Sequence, residues 1–303
     1  MAPSSPVRLG VVGAGRWGKI CLRALSAMPA ADVTAVASGN PETAALVPPG
    51  CRVVPDWREL IGSAGLEGLI VATPPATHAE IAAAALEAGL PVFVEKPLTQ
   101  SAEEARRLQA LAGARGTRVF FTDHIHLFSP AFRRLKELAA EAGPILAVEG
   151  RAGNHGPYRR DSSVLWDWGA HDMAMLIDLF GAAPDRVSAR RLERRAVGND
   201  EGETIGLELS FGASPATVVV STLCDKTRRF AVHCEAGRFL YDDLAPAKLT
   251  RDGVPVPIDA TPPLTLALGE FAAAIRDGGS HTAGLGLGVL VVEALERAAA
   301  ALG

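Results

Sequence analysis

Short β-branched, apolar runs alternate with amphipathic stretches through the first 122 residues. Val7 to Val12 reads as a strand, and Lys19 to Met28 as a helix with Ile20, Leu22 and Leu25 available for burial. Further strands are predicted at Val33 to Ala37, Arg52 to Val54, Leu69 to Ala72, Pro91 to Val94 and Arg118 to Thr122. Between them, Asp56-x-x-Glu59, Thr77-x-x-Glu80 and Ser101-x-x-Glu104 mark helix starts, since an acceptor side chain stands three residues ahead of an acid. Strand and helix in alternation predict an α/β domain over residues 1–122, a doubly wound parallel sheet with helices on both faces.

The texture changes after residue 122. Ser129-Pro130 opens a helix to about Ala142, Ile145 to Ala152 reads as a strand, and Leu165 to Leu179 as a helix closed by Gly181. Strand then follows strand: Arg186 to Arg195, Thr204 to Phe211, Thr217 to Leu223, Phe230 to Glu235 and Arg238 to Leu240. Such a succession predicts an α+β domain over residues 123–303, built on a mainly antiparallel open sheet. Leu264 to Arg276 and Leu285 to Leu302 return to helix. An open sheet exposes one face, so association of copies through it, as a homodimer or homotetramer, is expected.

The first strand runs straight into Gly13-x-Gly15-x-x-Gly18, with Ala14, Arg16 and Trp17 between the glycines. Gly13 permits a tight turn, Gly15 leaves room for backbone to approach a phosphate, and Gly18 allows close helix packing. The helix that follows aims unpaired N–H groups and the positive end of its dipole at an anion. Together they predict a dinucleotide pyrophosphate site. In such sites an acid about 20 residues further on grips the ribose hydroxyls. Here the second strand ends in Ser38-Gly39-Asn40 instead. With no carboxylate to repel a 2′-phosphate, and with Ser38, Asn40 and Arg16 as donors, NAD(P) is the expected cofactor, with NADP favoured. No arginine stands in the turn itself.

Composition narrows the partners. A chain of 303 residues with 48% hydrophobic residues can fill two cores. Net charge −4 leaves no basic footprint for nucleic acid, and no charge run suggests a membrane surface. Cys21, Cys51, Cys224 and Cys234 are scattered and read as reduced thiols. With no apolar run of spanning length and no leader pattern at Met1 to Pro6, a soluble cytoplasmic protein is expected. His124 and His126 alternate on a strand-like face beside Asp123, but two histidines without a third ligand predict no metal.

Four stretches, in order and spacing, resemble the Gfo/Idh/MocA oxidoreductases over nearly the whole chain. They are Gly13 to Gly18, Thr73-Pro74-Pro75-Ala76-Thr77-His78, Glu95-Lys96-Pro97 and Asp167-Trp168-Gly169-Ala170-His171. The resemblance implies an N-terminal Rossmann domain, a cofactor bordered by Thr73, Pro74, His78 and Glu95, and Lys96 reaching both the substrate hydroxyl and the nicotinamide region. His78 reads equally as an early helix residue. Lys96 closes a strand at the sheet edge where ligands bind, and Pro97 permits a cis bond.

Moving a hydride to or from an alcohol carbon needs a group that exchanges the hydroxyl proton. Asp167 and His171 are four apart on a helix, so the carboxylate can orient the imidazole. Taken alone they are ordinary polar residues; the resemblance makes His171 the acid/base and Asp167 its partner. Asn154, His155, Tyr158, Arg159 and Arg160 form a polar loop ahead of that helix, read either as solvated or as contacting the substrate. Asp172, adjacent to His171, points elsewhere and is given a structural role. The segment around Asn154 to Asp172 looks most like members acting on sugars or nucleotide sugars. The expected activity is an NAD(P)-dependent oxidoreductase of a sugar, polyol or nucleotide sugar. A non-catalytic NAD(P)-binding sensor and an imine or C=C reductase are the alternatives. Ser210 to Pro263 is compact for this family, which puts the pocket's cover in question.

Overall fold

Val7–Val12 (β1) is buried at every position but Arg8 in the computed structural model, which describes residues 5–62, 65–158 and 162–303. The chain continues through α1 (Arg16–Ser26), β2 (Ala31–Ala37), β3 (Arg52–Val54), α2 (Trp57–Ile61), β4 (Gly68–Val71), α3 (His78–Glu87), β5 (Val92–Glu95), α4 (Ala102–Ala114) and β6 (Phe120–Asp123). These strands make one parallel six-stranded sheet in the order β3-β2-β1-β4-β5-β6. Helices cover both faces of a parallel sheet, and β4 and β5 are accordingly buried throughout. The order reverses beside β1, and ligands bind at the carboxyl edge there.

Two helix starts keep the caps read from sequence. Asp56 accepts from the Arg58 N–H at 2.9 Å and Ser101 from the Glu104 N–H at 3.1 Å. Thr77 does not cap α3. A single 3-10 turn, Pro75–Thr77, precedes that helix, and the Thr77 hydroxyl bonds back to Thr73 Oγ1 (2.7 Å) and Pro74 O (2.9 Å). Helix α1 starts at Arg16, three residues before the expected Lys19, because the glycine loop itself supplies its first turn.

The second sheet begins after α5 (Pro130–Glu141). It is formed by β7 (Ile145–Gly153), β8 (Arg186–Val197), β9 (Asp200–Phe211), β10 (Ser214–Ser221), β11 (Thr227–Cys234), β12 (Gly237–Asp242), β13 (Leu249–Arg251) and β14 (Val254–Pro255). Its order is β14-β13-β12-β11-β7-β10-β9-β8. All neighbours are antiparallel except β7 and β10, which pair in parallel because the chain crosses over between them through α6 (Ala170–Phe180). Val148, Gly150 and Ala152 of β7 and Met173, Leu176 and Ile177 of α6 are buried. Phe132 of α5 meets Phe230 edge-on at 5.8 Å.

Contacts divide the chain differently from the expected break at 122/123. The first unit runs through Asp123 and also takes Pro262–Val289; the second holds His124–Thr261 and Leu290–Gly303. The returning helix α7 (Pro263–Asp277) brings fully buried Phe271 to 5.6 Å from both Phe93 and Phe121 within the first unit. No periodicity in 262–289 distinguishes a helix that completes the first core from one that covers the second. The last helix, α8 (Ala283–Ala301), extends from one unit into the other.

Candidate functional site

Within the first unit, the glycine loop divides its tasks. Gly13 adopts φ +98°, and a Cβ there would stand 2.6 Å from the Ala72 carbonyl oxygen. A Cβ on Gly18 would overlap the Gly13 carbonyl. Both glycines are therefore demanded by the protein's own packing. Gly15 is different: it precedes α1 in extended backbone, and a Cβ there meets nothing within 4 Å. The first turn of α1 has neither a side-chain cap nor an acidic residue, so its leading N–H groups face open space in front of Gly15. Arg16 is exposed at the first helical position. The Trp17 indole nitrogen is buried with no hydrogen-bond partner among the described residues, a donor left over at the same place. These features fit a diphosphate held by backbone N–H groups.

At the end of β2 the turn is bonded to itself. Ser38 Oγ accepts from the Asn40 N–H (3.1 Å) and the Thr43 hydroxyl (2.9 Å), while Asn40 Oδ1 accepts from the Glu42 N–H (3.0 Å). What remains to a ligand is donor capacity, the Ser38 hydroxyl proton and the Asn40 amide NH2.

Beyond β4, Thr73 is half-buried and Pro74 exposed. His78 is fully buried, with Nδ1 2.8 Å from the Pro97 carbonyl and Nε2 3.0 Å from that of Thr73. Burial pushes its pKa down, and a neutral imidazole has one N–H to share between two acceptors. His78 thus ties the loop after β4 to the loop after β5. That second loop begins with buried Glu95, then half-buried Lys96, whose bond to Pro97 is cis.

The second unit carries the other predicted residues. The helix expected from Leu165 opens as a π-helical turn, Leu165–Gly169, before α6. Asp167 lies in that turn and His171 in the first turn of α6. The His171 ring stands edge-on to His126 at 5.0 Å and 6.4 Å from Trp168. His126 Nδ1 lies 2.9 Å from the Tyr241 hydroxyl. His124 and His126 do not share a strand face, because β6 ends at Asp123 and His126 sits in the 3-10 turn Ile125–Phe128. Asp167 and Tyr158 line one cavity of about 590 Å³ with Arg191, Glu203 and Thr222. Half-buried Asn154 donates its N–H to the Ser221 carbonyl at 3.1 Å. Arg159 and Arg160 lie outside the described residues. Among the described residues no group of three or more His, Cys, Asp or Glu is placed to hold a metal ion.

Arg228, absent from the sequence reading, stacks on Trp168 at 3.3 Å and donates to the Gly153 carbonyl at 3.0 Å. It contributes a favourable charge to Asp172, whose two oxygens are buried without side-chain or other hydrogen-bond partners among the described residues and lie against Gly150. Nothing local in the sequence links residues so far apart. Burial outweighs the arginine and pushes Asp172 up to about 7. A carboxyl that binds its proton more tightly folded than unfolded favours the fold below about pH 4 and loses that contribution as pH rises through 7. Asp172→Asn is therefore expected to flatten the fall in stability between those limits. It should be the more stable protein at pH 8, by at most about 4 kcal/mol, as read by denaturant unfolding at several pH values.

Family models match both units: "Oxidoreductase family, NAD-binding Rossmann fold" over residues 7–123, and "GFO/IDH/MocA C-terminal domain" over residues 132–240. A solved structure of a putative oxidoreductase from Magnetospirillum magnetotacticum MS-1 is 42% identical, with TM-score 0.92, covering 97% of this chain and all of that one. Inositol 2-dehydrogenase 3 of Saccharopolyspora erythraea is 35% identical over 147 residues, 46% of this chain and 44% of that enzyme. UDP-N-acetylglucosamine 3-dehydrogenase of Acidithiobacillus ferrooxidans is 31% identical over 185 residues, 60% of this chain and 57% of that enzyme. These alignments thus span about half the length of the curated relatives.

Proposed function

The chain belongs to the Gfo/Idh/MocA oxidoreductase family, and from that premise we propose that it is an NAD(P)-dependent dehydrogenase of a secondary alcohol on a polyol, sugar or nucleotide sugar. The observation that carries this reading lies within one sheet. The open space before Gly15 follows β1, and Lys96 follows β5, at the same carboxyl edge with β4 between them. Inositol and UDP-sugar relatives support the substrate class.

The bound nicotinamide would supply the hydride chemistry. Gly13, Gly15 and the first N–H groups of α1 would hold the diphosphate, with Trp17 and Arg16 beside it. Ser38 and Asn40 would donate to the adenosine ribose or its 2′-phosphate, and the lack of a carboxylate there favours NADP. Thr73, Pro74, His78 and Glu95 would border the nicotinamide side. Lys96 would orient and polarise the substrate oxygen through its ammonium. His171, with Asp167 one turn before it, would exchange the hydroxyl proton, and Asn154, Tyr158 and Arg159 would contact the substrate. Glu149, Glu208 and Thr217 lie exposed on one face of the second sheet, and this polar face would be covered by a second copy of the chain.

The test is thermal unfolding of the purified protein with NAD(H) and with NADP(H). Turnover of inositols, hexoses and UDP-sugars is then followed by nicotinamide absorbance. Stabilisation by a cofactor and oxidation of an alcohol in the panel, lost in His171→Asn, are expected. Failure to bind either cofactor overturns the reading.

A further inference from the structure

Strands β5 and β6 pair in parallel, and the register sets Glu95 opposite Asp123 at the last position of each. Residues in register on neighbouring strands point to the same face, with backbones about 4.8 Å apart. Two carboxyl groups thus end side by side at the sheet edge from which Lys96 emerges. Both are buried, Glu95 to 7% exposure and Asp123 to 1%. Both Asp123 oxygens and Glu95 Oε1 are buried without a hydrogen-bond partner among the described residues.

An ionised carboxylate only accepts hydrogen bonds, so two of them face to face cannot bond, and burial magnifies their repulsion. One proton resolves both problems, because it turns one carboxyl into a donor to the other. The surroundings agree. Burial pushes both groups above the usual carboxylate range, Glu95 the further because the Asp123 charge adds to it, while the Lys96 ammonium draws both back down. Burial, with a smaller contribution from the two carboxyls, pushes the Cys21 thiol of α1 far up, so it stays neutral. His78, also placed against the Lys96 charge, is held neutral by burial. The cluster therefore sums to one negative and one positive charge, a balance that a dry site tolerates.

We propose that Asp123 is a positioning residue for Lys96: it shares a single proton with Glu95, and the resulting acid pair presents one negative charge that holds the lysine side chain in place. The functional half of this inference rests on the reading of Lys96 as the residue that polarises the substrate oxygen. The acid pair itself does not, so the two are tested apart.

The first measurement needs no turnover. With carboxyl carbons of Asp and Glu labelled with 13C, the pair is followed by NMR across pH in the full chain and assigned with Glu95→Gln and Asp123→Asn. One proton held through neutral pH is expected, with its loss shifted upward by at least one pH unit in Lys96→Met, where the positive neighbour is gone. Two carboxylates that both ionise below pH 5, or a titration that Lys96→Met leaves in place, overturn the proposal. The Lys96→Met comparison keeps Asp123 and stands even if the Asp123 variants fail to fold. The second measurement is the pH profile of kcat. Asp123→Asn, which keeps a donor for Glu95, is expected to lose the limb assigned to the pair. Asp123→Leu should have at least tenfold lower kcat than Asp123→Asn at equal KM for the cofactor. Equal kcat values in the two variants would leave Asp123 no positioning role and sink that half alone.

Discussion

Lys96→Met is expected to lower kcat for alcohol oxidation by roughly 10²–10⁴-fold while the protein still binds NAD(P). Methionine keeps the length and apolar stem of lysine and removes only the ammonium. Lys96 follows the buried end of β5, on a loop held through the Pro97 carbonyl by His78, so the backbone should stay where it is. Cofactor titration and steady-state kinetics on the same preparation separate the outcomes. A loss confined to KM for the alcohol would mean that Lys96 binds ground state and transition state alike. Unchanged kcat and KM would remove Lys96 from the chemistry.

Gly15→Ala and Gly18→Ala are expected to fail in opposite ways. At Gly15 the new methyl meets no protein atom, so stability should change by less than about 1 kcal/mol. It would, however, occupy the space in front of α1 where a diphosphate must approach, and cofactor affinity should fall at least tenfold, or about 1.4 kcal/mol. At Gly18 the methyl overlaps the Gly13 carbonyl, and the loop must move before any ligand arrives. Destabilisation of about 1–3 kcal/mol or more is expected there, as for an overpacked core. Thermal unfolding with and without cofactor reads both terms. Loss of affinity in Gly18→Ala alone would show that the loop does not face a ligand.

How much of this was legible in sequence follows the range of the forces involved. The strand end at Val12, the Asp56 and Ser101 caps and the left-handed Gly181 rest on neighbours within a turn, and sequence carries them. The Thr77 cap failed because Pro75 imposes a 3-10 turn first, and the hydroxyl finds closer partners in Thr73 and Pro74. Asp167 and His171 are one turn apart as spaced, but the π-helical turn beneath Asp167 was not legible, since its residues are also good α-helix formers.

What the sequence determined by itself is the alternation that builds a parallel sheet, the glycine spacing that opens a helix N-terminus to an anion, and the placing of a lysine at a strand's carboxyl end. Each depends on backbone preferences and periodicity over a few residues. Tertiary structure alone decided that Asp123 stands opposite Glu95, that His78 bridges two loops, that Arg228 lies on Trp168, and that α7 returns to the first core. Those facts depend on strand register and packing between distant segments, where desolvation and charge act through space, and no local pattern encodes them.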